Sequence, residues 1–480
     1  MKKYTIYLLV LLASFCTGCN KYLDRAPDDR TQLNSPAKVS ELLVTAYPRA
    51  NYILLAESMS DIPSFNSTSG IDFKVNQEGY FWKEITATDQ DSPTYYWNAC
   101  YEAIAAANQA LSAISKASDP ENYISQKGEA LIARAYAHFM LVTLYAKTYD
   151  PATADTDPGI PYVTEPETVV FKNYDRKTVA FTYQQIEKDL VEGLPLIRDS
   201  YSVPAYHFTK KAAYGFASRY YLFKKNADKV IEMTNLAFPA NNFAANVRPW
   251  QSYANFSVDQ MDAAFTNAAN PGNLLLGETV SRAGRYYKRP VYSISQSRLT
   301  SILSPVGTNL NAFRTYSNSS TFYYLLKLTE HFVLSSINST TGTPYIMAPL
   351  LTTEEVLLNR AEAYIMKENY TAALADMNTL ISTRVATYNP STQNFTEAKI
   401  VAFYPANITL KQAYFNALLD LKKAEFLHEG MRWLDILRHK LPVVHTDAAG
   451  ATYTLTANDN RRLWQIPSEA TLSGVAQNPR

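Results

Sequence analysis

Apolar residues recur at spacings of three and four in four separated blocks of the chain, the pattern of helices that bury one face and expose the other. The first block runs from Tyr95 through YYWNACYEAIAAANQALSAI and continues as EALIARAYAHFMLVTLYAKTY. Pro151 and the segment DPATADTDPGIPYVTEPE then stop helix formation and predict a long exposed loop. The second block pairs FTYQQIEKDLVEGLPLI with TKKAAYGFASRYYLFKKNADKVIEMTNLAF, with Thr209 as its N-cap. LTTEEVLLNRAEAYIMKENYTAALADMNTLI is the third, and LLDLKKAEFLHEGMRWLDILR the fourth.

The second and third blocks share a register. In each, an Ala-rich helix carries a tyrosine, Tyr221 or Tyr364, and nine residues later Val230 or Ala373 opens the face of a second helix. Small-to-aromatic packing of this kind marks tetratricopeptide-like helix pairs, which stack into a right-handed solenoid. Tyr221 and Tyr364 are therefore expected to be buried between paired helices. The fold class that follows is mostly α, with helical repeats over about 95–238 and 350–440. Between them, about 239–349, the chain turns to Asn, Ser, Thr, Pro and Tyr with weak periodicity, as in NVRPWQSYANF and SRAGRYYKRPVYSISQS. Such an insertion predicts a loop-rich lobe, a common seat of function.

The N-terminus changes the picture. Lys2 and Lys3 precede an apolar run from Ile6 to Phe15, the layout of an export signal. The run is shorter than the roughly 20 residues of a membrane-spanning helix. Thr17 and Gly18 stand directly before Cys19, where a bacterial lipoprotein signal carries small residues ahead of its lipidated cysteine; Cys16 occupies the position where such signals usually have Leu. The expectation is a signal peptide over 1–18 and lipid on Cys19, the alternative being an ordinary cleaved signal. Only Cys100 then remains, so the mature chain has no disulfide framework.

Composition removes other classes. Lys plus Arg (45) balances Asp plus Glu (44) with no basic stripe, which argues against a nucleic-acid partner. Few glycines (15) disfavour a turn-rich β architecture, and 35 tyrosines offer amphipathic contact surface. No catalytic signature stands out. His428 and Glu429 lack the second histidine of HExxH and read as a satisfied core or helix-face pair; neither GxSxG nor a phosphate-cradling glycine loop occurs. Glu354 and Glu355 could imitate a glycosidase dyad, but at a predicted helix start they suit its positive end. No metal or cofactor is expected.

Six further motifs carry a resemblance. CNKYLDRAPDD, GEALIARAYAHFMLVTLYAKTYD followed by GIPYV, TKKAAYGFASRYYLF, EEVLLNRAEAY, KKAEFLHEGMRWLDILR and LWQIPSEATLSGVAQNP occur in the order of the SusD/RagB family. The chain resembles that family over nearly its whole length, with 19–480 as a single SusD-like domain. Thr352, Thr353 and Asn311 stand where the family commonly has an Arg, an apolar residue and an Asp, which puts a buried salt bridge in doubt. The resemblance implies a binding lipoprotein of the outer membrane, facing the cell surface and without catalysis. It would capture oligosaccharide or polysaccharide and act with a SusC-like TonB-dependent transporter. The alternatives are peptide or protein capture by the same architecture, as in RagB-like proteins, and an enzyme with an unrecognised site.

A sugar ring packs its C–H face on Trp or Tyr and needs polar side chains around its rim. Trp97, Tyr101 and Trp433 lie on amphipathic helices and are assigned to packing. Trp82, Trp250, Tyr253, Tyr286 and Tyr287 lie in loop-like sequence and form the expected binding set, with Arg285 and Asn311 as polar partners. A glycan site should show open aromatics flanked by amides and carboxylates; a peptide site should show an unpaired backbone edge and apolar pockets.

Overall fold

Helix-forming periodicity and capping chemistry agree along most of the chain. The computed structural model describes residues 33–169 and 172–480, so the signal segment 1–18 and Cys19 lie outside the described residues. Helices α1 (Pro36–Leu43), α2 (Ile53–Met59) and α3 (Lys74–Tyr80) lead into the two longest, α4 (Pro93–Lys116) and α5 (Ile124–Tyr145). Ser92 caps α4 by accepting from the Tyr95 N–H, and Pro93 sits in its first turn, where the missing N–H is harmless. Next come α6 (Val179–Gly193), α7 (Lys210–Phe223) and α8 (Ala227–Ala237), with Thr209 capping α7 as expected. A strand-bearing region holding the single turn α9 (Ala283–Tyr286) follows, and after it come α10 (Thr353–Met366), α11 (Tyr370–Ser382), α12 (Leu410–Glu425) and α13 (Met431–Arg438).

Neighbouring helices pack as pairs: α4 on α5, α7 on α8, α10 on α11. The α10 helix also packs on α7, α8 and α12, joining the pairs into one stack. The fold is mostly α. Tyr221 (4% exposed), Val230 and Ala373 are buried as their register requires. Tyr364 departs from it: its ring is only half-buried and lies beside the Arg360 guanidinium, 5.9 Å from ring centre to guanidinium carbon. Arg360 in turn is held by Asp376 (2.7 Å), so a polar pair occupies space that the register assigns to packing.

The strands are short. β2 (Asn273–Val280), β7 (Gly342–Thr352) and β6 (His331–Leu334) form an antiparallel sheet in the order β2-β7-β6. Three two-stranded ribbons pair β1 (Ser64–Phe65) with β3 (Tyr292–Ser293), β4 (Thr315–Asn318) with β5 (Phe322–Leu325), and β8 (Val443–Thr446) with β9 (Thr452–Leu455). Among the described residues no helix is long and apolar enough to cross a membrane.

Charge is buried where the stack is tightest. Glu354 and Glu355 do begin α10, but both are enclosed. Glu354 accepts from the Arg248 backbone N–H (2.5 Å) and the Arg384 guanidinium (3.1 Å); Glu355 pairs with Arg219 (2.5 Å). Arg384 is shared with Glu425 (2.6 Å), which also tethers the Lys327 ammonium through its carbonyl oxygen. Buried ion pairs therefore exist despite Thr352 and Thr353; Thr352 instead caps α10 by accepting from the Glu355 N–H. His428 is buried, but not as a satisfied histidine: neither ring nitrogen has a well-aligned hydrogen bond, and Nδ1 lies 3.2 Å from Glu57.

Candidate functional site

The expected binding aromatics separate by burial. Trp250 (0% exposed) sits in a 3₁₀ turn with its ring against Tyr253, Phe265 and Phe313. Tyr253 is enclosed with it and accepts from Asn270 (2.8 Å). Tyr287 donates to the Leu328 carbonyl (3.2 Å) and burial pushes its hydroxyl pKa up. Trp82 donates to the Met59 carbonyl (2.9 Å) and stacks on His445, 4.5 Å between ring centres. These four rings, expected as open platforms, are packed inside the protein. The loop-like sequence around them lacks helical periodicity, yet its aromatics join the same core as the helices. Asn311 is exposed, and its side-chain oxygen is taken by the Ala386 N–H (2.8 Å). Of the helical aromatics, Trp97 and Trp433 are buried as assigned, whereas Tyr101 is only half-buried.

Arg285 and Tyr286 remain accessible, and they stand together. The β2 strand ends at Val280, and the chain turns at once into the single turn α9. That turn lies against the strand leading to β6, because Gly284 has no side chain: a Cβ there would stand 2.6 Å from the Glu330 backbone nitrogen. The close approach lets Arg285 grip Glu330, which raises the pKa of the guanidinium mainly through that hydrogen bond, and lets it lie 5.6 Å from the ring of Phe332. Tyr286 stacks on Phe73 from the loop before α3, with ring centres 4.3 Å apart and planes inclined by 17°.

Polar groups complete the rim. A cleft of about 230 Å³ is lined by Phe73, Asp89, Gln90, Asp91, Arg282 and Tyr286, among others. The exposed Asp89 pairs with Arg282 at 3.2 Å, and the Gln90 amide oxygen, turned to the same guanidinium, accepts at 2.7 and 2.9 Å. Asp91 lies beneath them. Its carboxylate accepts from the Ser281 hydroxyl (2.5 Å) and the Arg282 N–H (2.8 Å), so it fixes the turn that presents Arg282. Burial pushes the Asp91 carboxyl up to about 6, partly countered by those hydrogen bonds. The cleft thus offers an aromatic pair, a guanidinium, an amide and a carboxylate on one surface. That set suits a ring with an apolar face and several hydroxyls. No group of three or more His, Cys, Asp or Glu side chains among the described residues could hold a metal ion. Phe73, Asp89, Gln90 and Arg282 escape a sequence reading because they come from segments some 200 residues apart; Arg282 inside SRAGRYYKRP was the nearest signal.

Comparisons with known proteins agree with the architecture. A family model described as starch-binding, associating with the outer membrane, matches residues 21–222. A second, described as the SusD family, matches residues 213–474, more than half of the chain. No curated protein matches. Among solved structures, a SusD superfamily protein from Bacteroides thetaiotaomicron superposes with a TM-score of 0.68 at 18% identity, covering 93% of this chain and 100% of its own. A SusD superfamily protein from Bacteroides fragilis gives 0.67 at 19% identity, covering 92% and 98%. A SusD-like carbohydrate binding protein from Bacteroides vulgatus gives 0.64 at 16% identity, covering 92% and 97%. At such identities the likeness is one of fold; the family models go further, and by them the chain belongs to the SusD/RagB family.

Proposed function

We propose that the protein is a glycan-capturing lipoprotein, anchored through Cys19 in the outer membrane, facing the cell surface and delivering oligosaccharide or polysaccharide to a SusC-like TonB-dependent transporter. Family membership supports a binding role rather than catalysis. The observation that carries the glycan reading is the cleft at Tyr286, where the Phe73–Tyr286 stack lies beside Arg282, Gln90 and Asp89. A pyranose would pack its C–H face on the tyrosine ring while its hydroxyls exchange hydrogen bonds with the guanidinium, amide and carboxylate. Arg285 stands at the margin, already engaged by Glu330.

One observation favours a second reading, capture of an extended peptide. Among the described residues the β6 strand pairs with β7 alone, and Phe332 (42%), Val333 (56%) and Leu334 (48%) are exposed along it. An unpaired edge is a template for strand addition. A binding screen of the soluble chain beginning after Cys19, against glycans and unstructured peptides, separates the two. Glycan binding that is lost in Tyr286→Ala supports the first reading; peptide binding alone, lost when Val333 is replaced by Pro, overturns it.

A further inference from the structure

A second cleft, about 410 Å³, opens beside α4 and shares no lining residue with the site above. Its floor is Trp97 and Tyr101, one helical turn apart on α4, with ring centres 5.0 Å apart. Its wall is the loop after Pro161 with Val163 and Tyr174, closed by Ala470, Ser473 and Val475 near the C-terminus. The parts are tied together. The Tyr101 hydroxyl donates to the Pro161 carbonyl (2.9 Å), and the Tyr174 N–H donates to the Ser473 carbonyl (2.8 Å).

Two features ask for a ligand. Trp97 is 6% exposed and lines the cleft; its indole N–H has no acceptor among the described residues and is open to solvent, unlike the buried, unpartnered indoles of Trp250, Trp433 and Trp464. The rim is one-signed among the described residues: Glu102, Glu165 and Glu167 line it and no lysine or arginine does. Glu167 accepts from the Tyr174 hydroxyl, while neither Glu102 nor Glu165 forms an ion pair among the described residues. Two cations stand close to the cleft without lining it. Arg176 is spent on the Gly159 carbonyl (2.8 Å) and Asn478 (2.9 Å), and the Lys172 ammonium lies over the Tyr174 ring at 5.3 Å.

A matching ligand has an apolar face for the aromatic floor, an oxygen acceptor for the Trp97 N–H and a positive charge for the carboxylates. We infer that this cleft is a second ligand site, selective for sugars that carry a free, protonated amine. It differs in sign from the Tyr286 cleft, whose rim carries Arg282. The inference rests on glycan capture only in naming a sugar as the carrier of the charge.

The test uses calorimetry on the soluble chain after Cys19, at a pH where the sugar amine is protonated, with glucosamine tetramer, N-acetylglucosamine tetramer and tetralysine as probes. Glucosamine tetramer should bind with a salt-dependent affinity that falls about ten-fold or more in Glu102→Gln/Glu165→Gln. Both glutamates are exposed, so folding is spared. Tyr286→Ala should leave this affinity unchanged, which separates the site from the first cleft. Equal binding of the N-acetylated tetramer, or an affinity unmoved by the double substitution, overturns the site's charge selectivity. Tetralysine binding as tightly as glucosamine tetramer overturns its assignment to a sugar. A failure of neutral glycans in the earlier screen leaves each of these outcomes readable.

Discussion

Replacing Glu354 by Ala tests whether the buried charge cluster organises the joint between the helical stack and the strand-bearing region. Glu354 is 0% exposed and receives three donors: the Arg248 N–H at 2.5 Å, the Arg248 guanidinium at 3.3 Å and the Arg384 guanidinium at 3.1 Å. Arg248 and Arg384 are themselves fully enclosed. Removing the carboxylate leaves Arg384 with Glu425 but strips Arg248 of the one carboxylate that pairs with it among the described residues, with Asn273 (2.8 Å) as its remaining side-chain acceptor there. Breaking a buried pair from one side costs about 3–5 kcal/mol, because the surviving charge stays desolvated. Glu354→Gln keeps the shape and one acceptor and should cost less, about 1–3 kcal/mol. Urea unfolding followed by tryptophan fluorescence reads both, since Trp250 lies against Phe265, whose ring also faces the Arg248 guanidinium at 4.3 Å. A loss below about 1 kcal/mol in Glu354→Ala, with an unchanged denaturant slope, would refute the reasoning. The glutamate would then be only a partner of the α10 dipole, worth a few tenths of a kcal/mol to about 1.

Tyr286→Ala should weaken binding of the glycan found by screening by about 1–3 kcal/mol, in the range of an interface anchor, without moving the urea midpoint; calorimetry and unfolding together check it. Trp250→Ala should do the reverse and destabilise the fold by about 3–5 kcal/mol, because its ring fills the core. Asp91, whose folded carboxyl lies near 6 through burial, contributes stability that is complete below its unfolded value and is lost as the pH rises through 6. The stability difference between wild type and Asp91→Asn should therefore change by about 1–3 kcal/mol between pH 4 and 7, and a difference that is flat with pH counts against it. Cys19→Ala should release the protein from the membrane fraction, because multiple acyl chains hold far more firmly than one; incorporation of labelled fatty acid reads the same point.

Helices α4 to α8 and α10 to α13 were legible in the sequence because local periodicity, the cap at Thr209 and the prolines after Tyr149 act over a few residues. The family was legible for the same reason, as each motif is a local run. Burial was not local. Trp250 and Tyr286 sit in equally loop-like sequence, yet one is in the core and the other at a cleft, since the choice depends on which distant residue covers each ring: Phe265 and Phe313 for Trp250, and for Tyr286 only Phe73 on one side. Glu354 shows the same division. Its place at the start of a helix follows from the sequence around it, whereas its enclosure required Arg248, 106 residues before it, and Arg384, 30 residues after it, to meet around one carboxylate. The polar rim of Asp89, Gln90 and Arg282 arises from a contact across some 190 residues, held by Asp91 on Ser281. Hydrophobic period and turn chemistry are properties of neighbours along the chain, while exposure, charge pairing and the shape of a cleft are properties of neighbours in space, and these only the folded protein supplies.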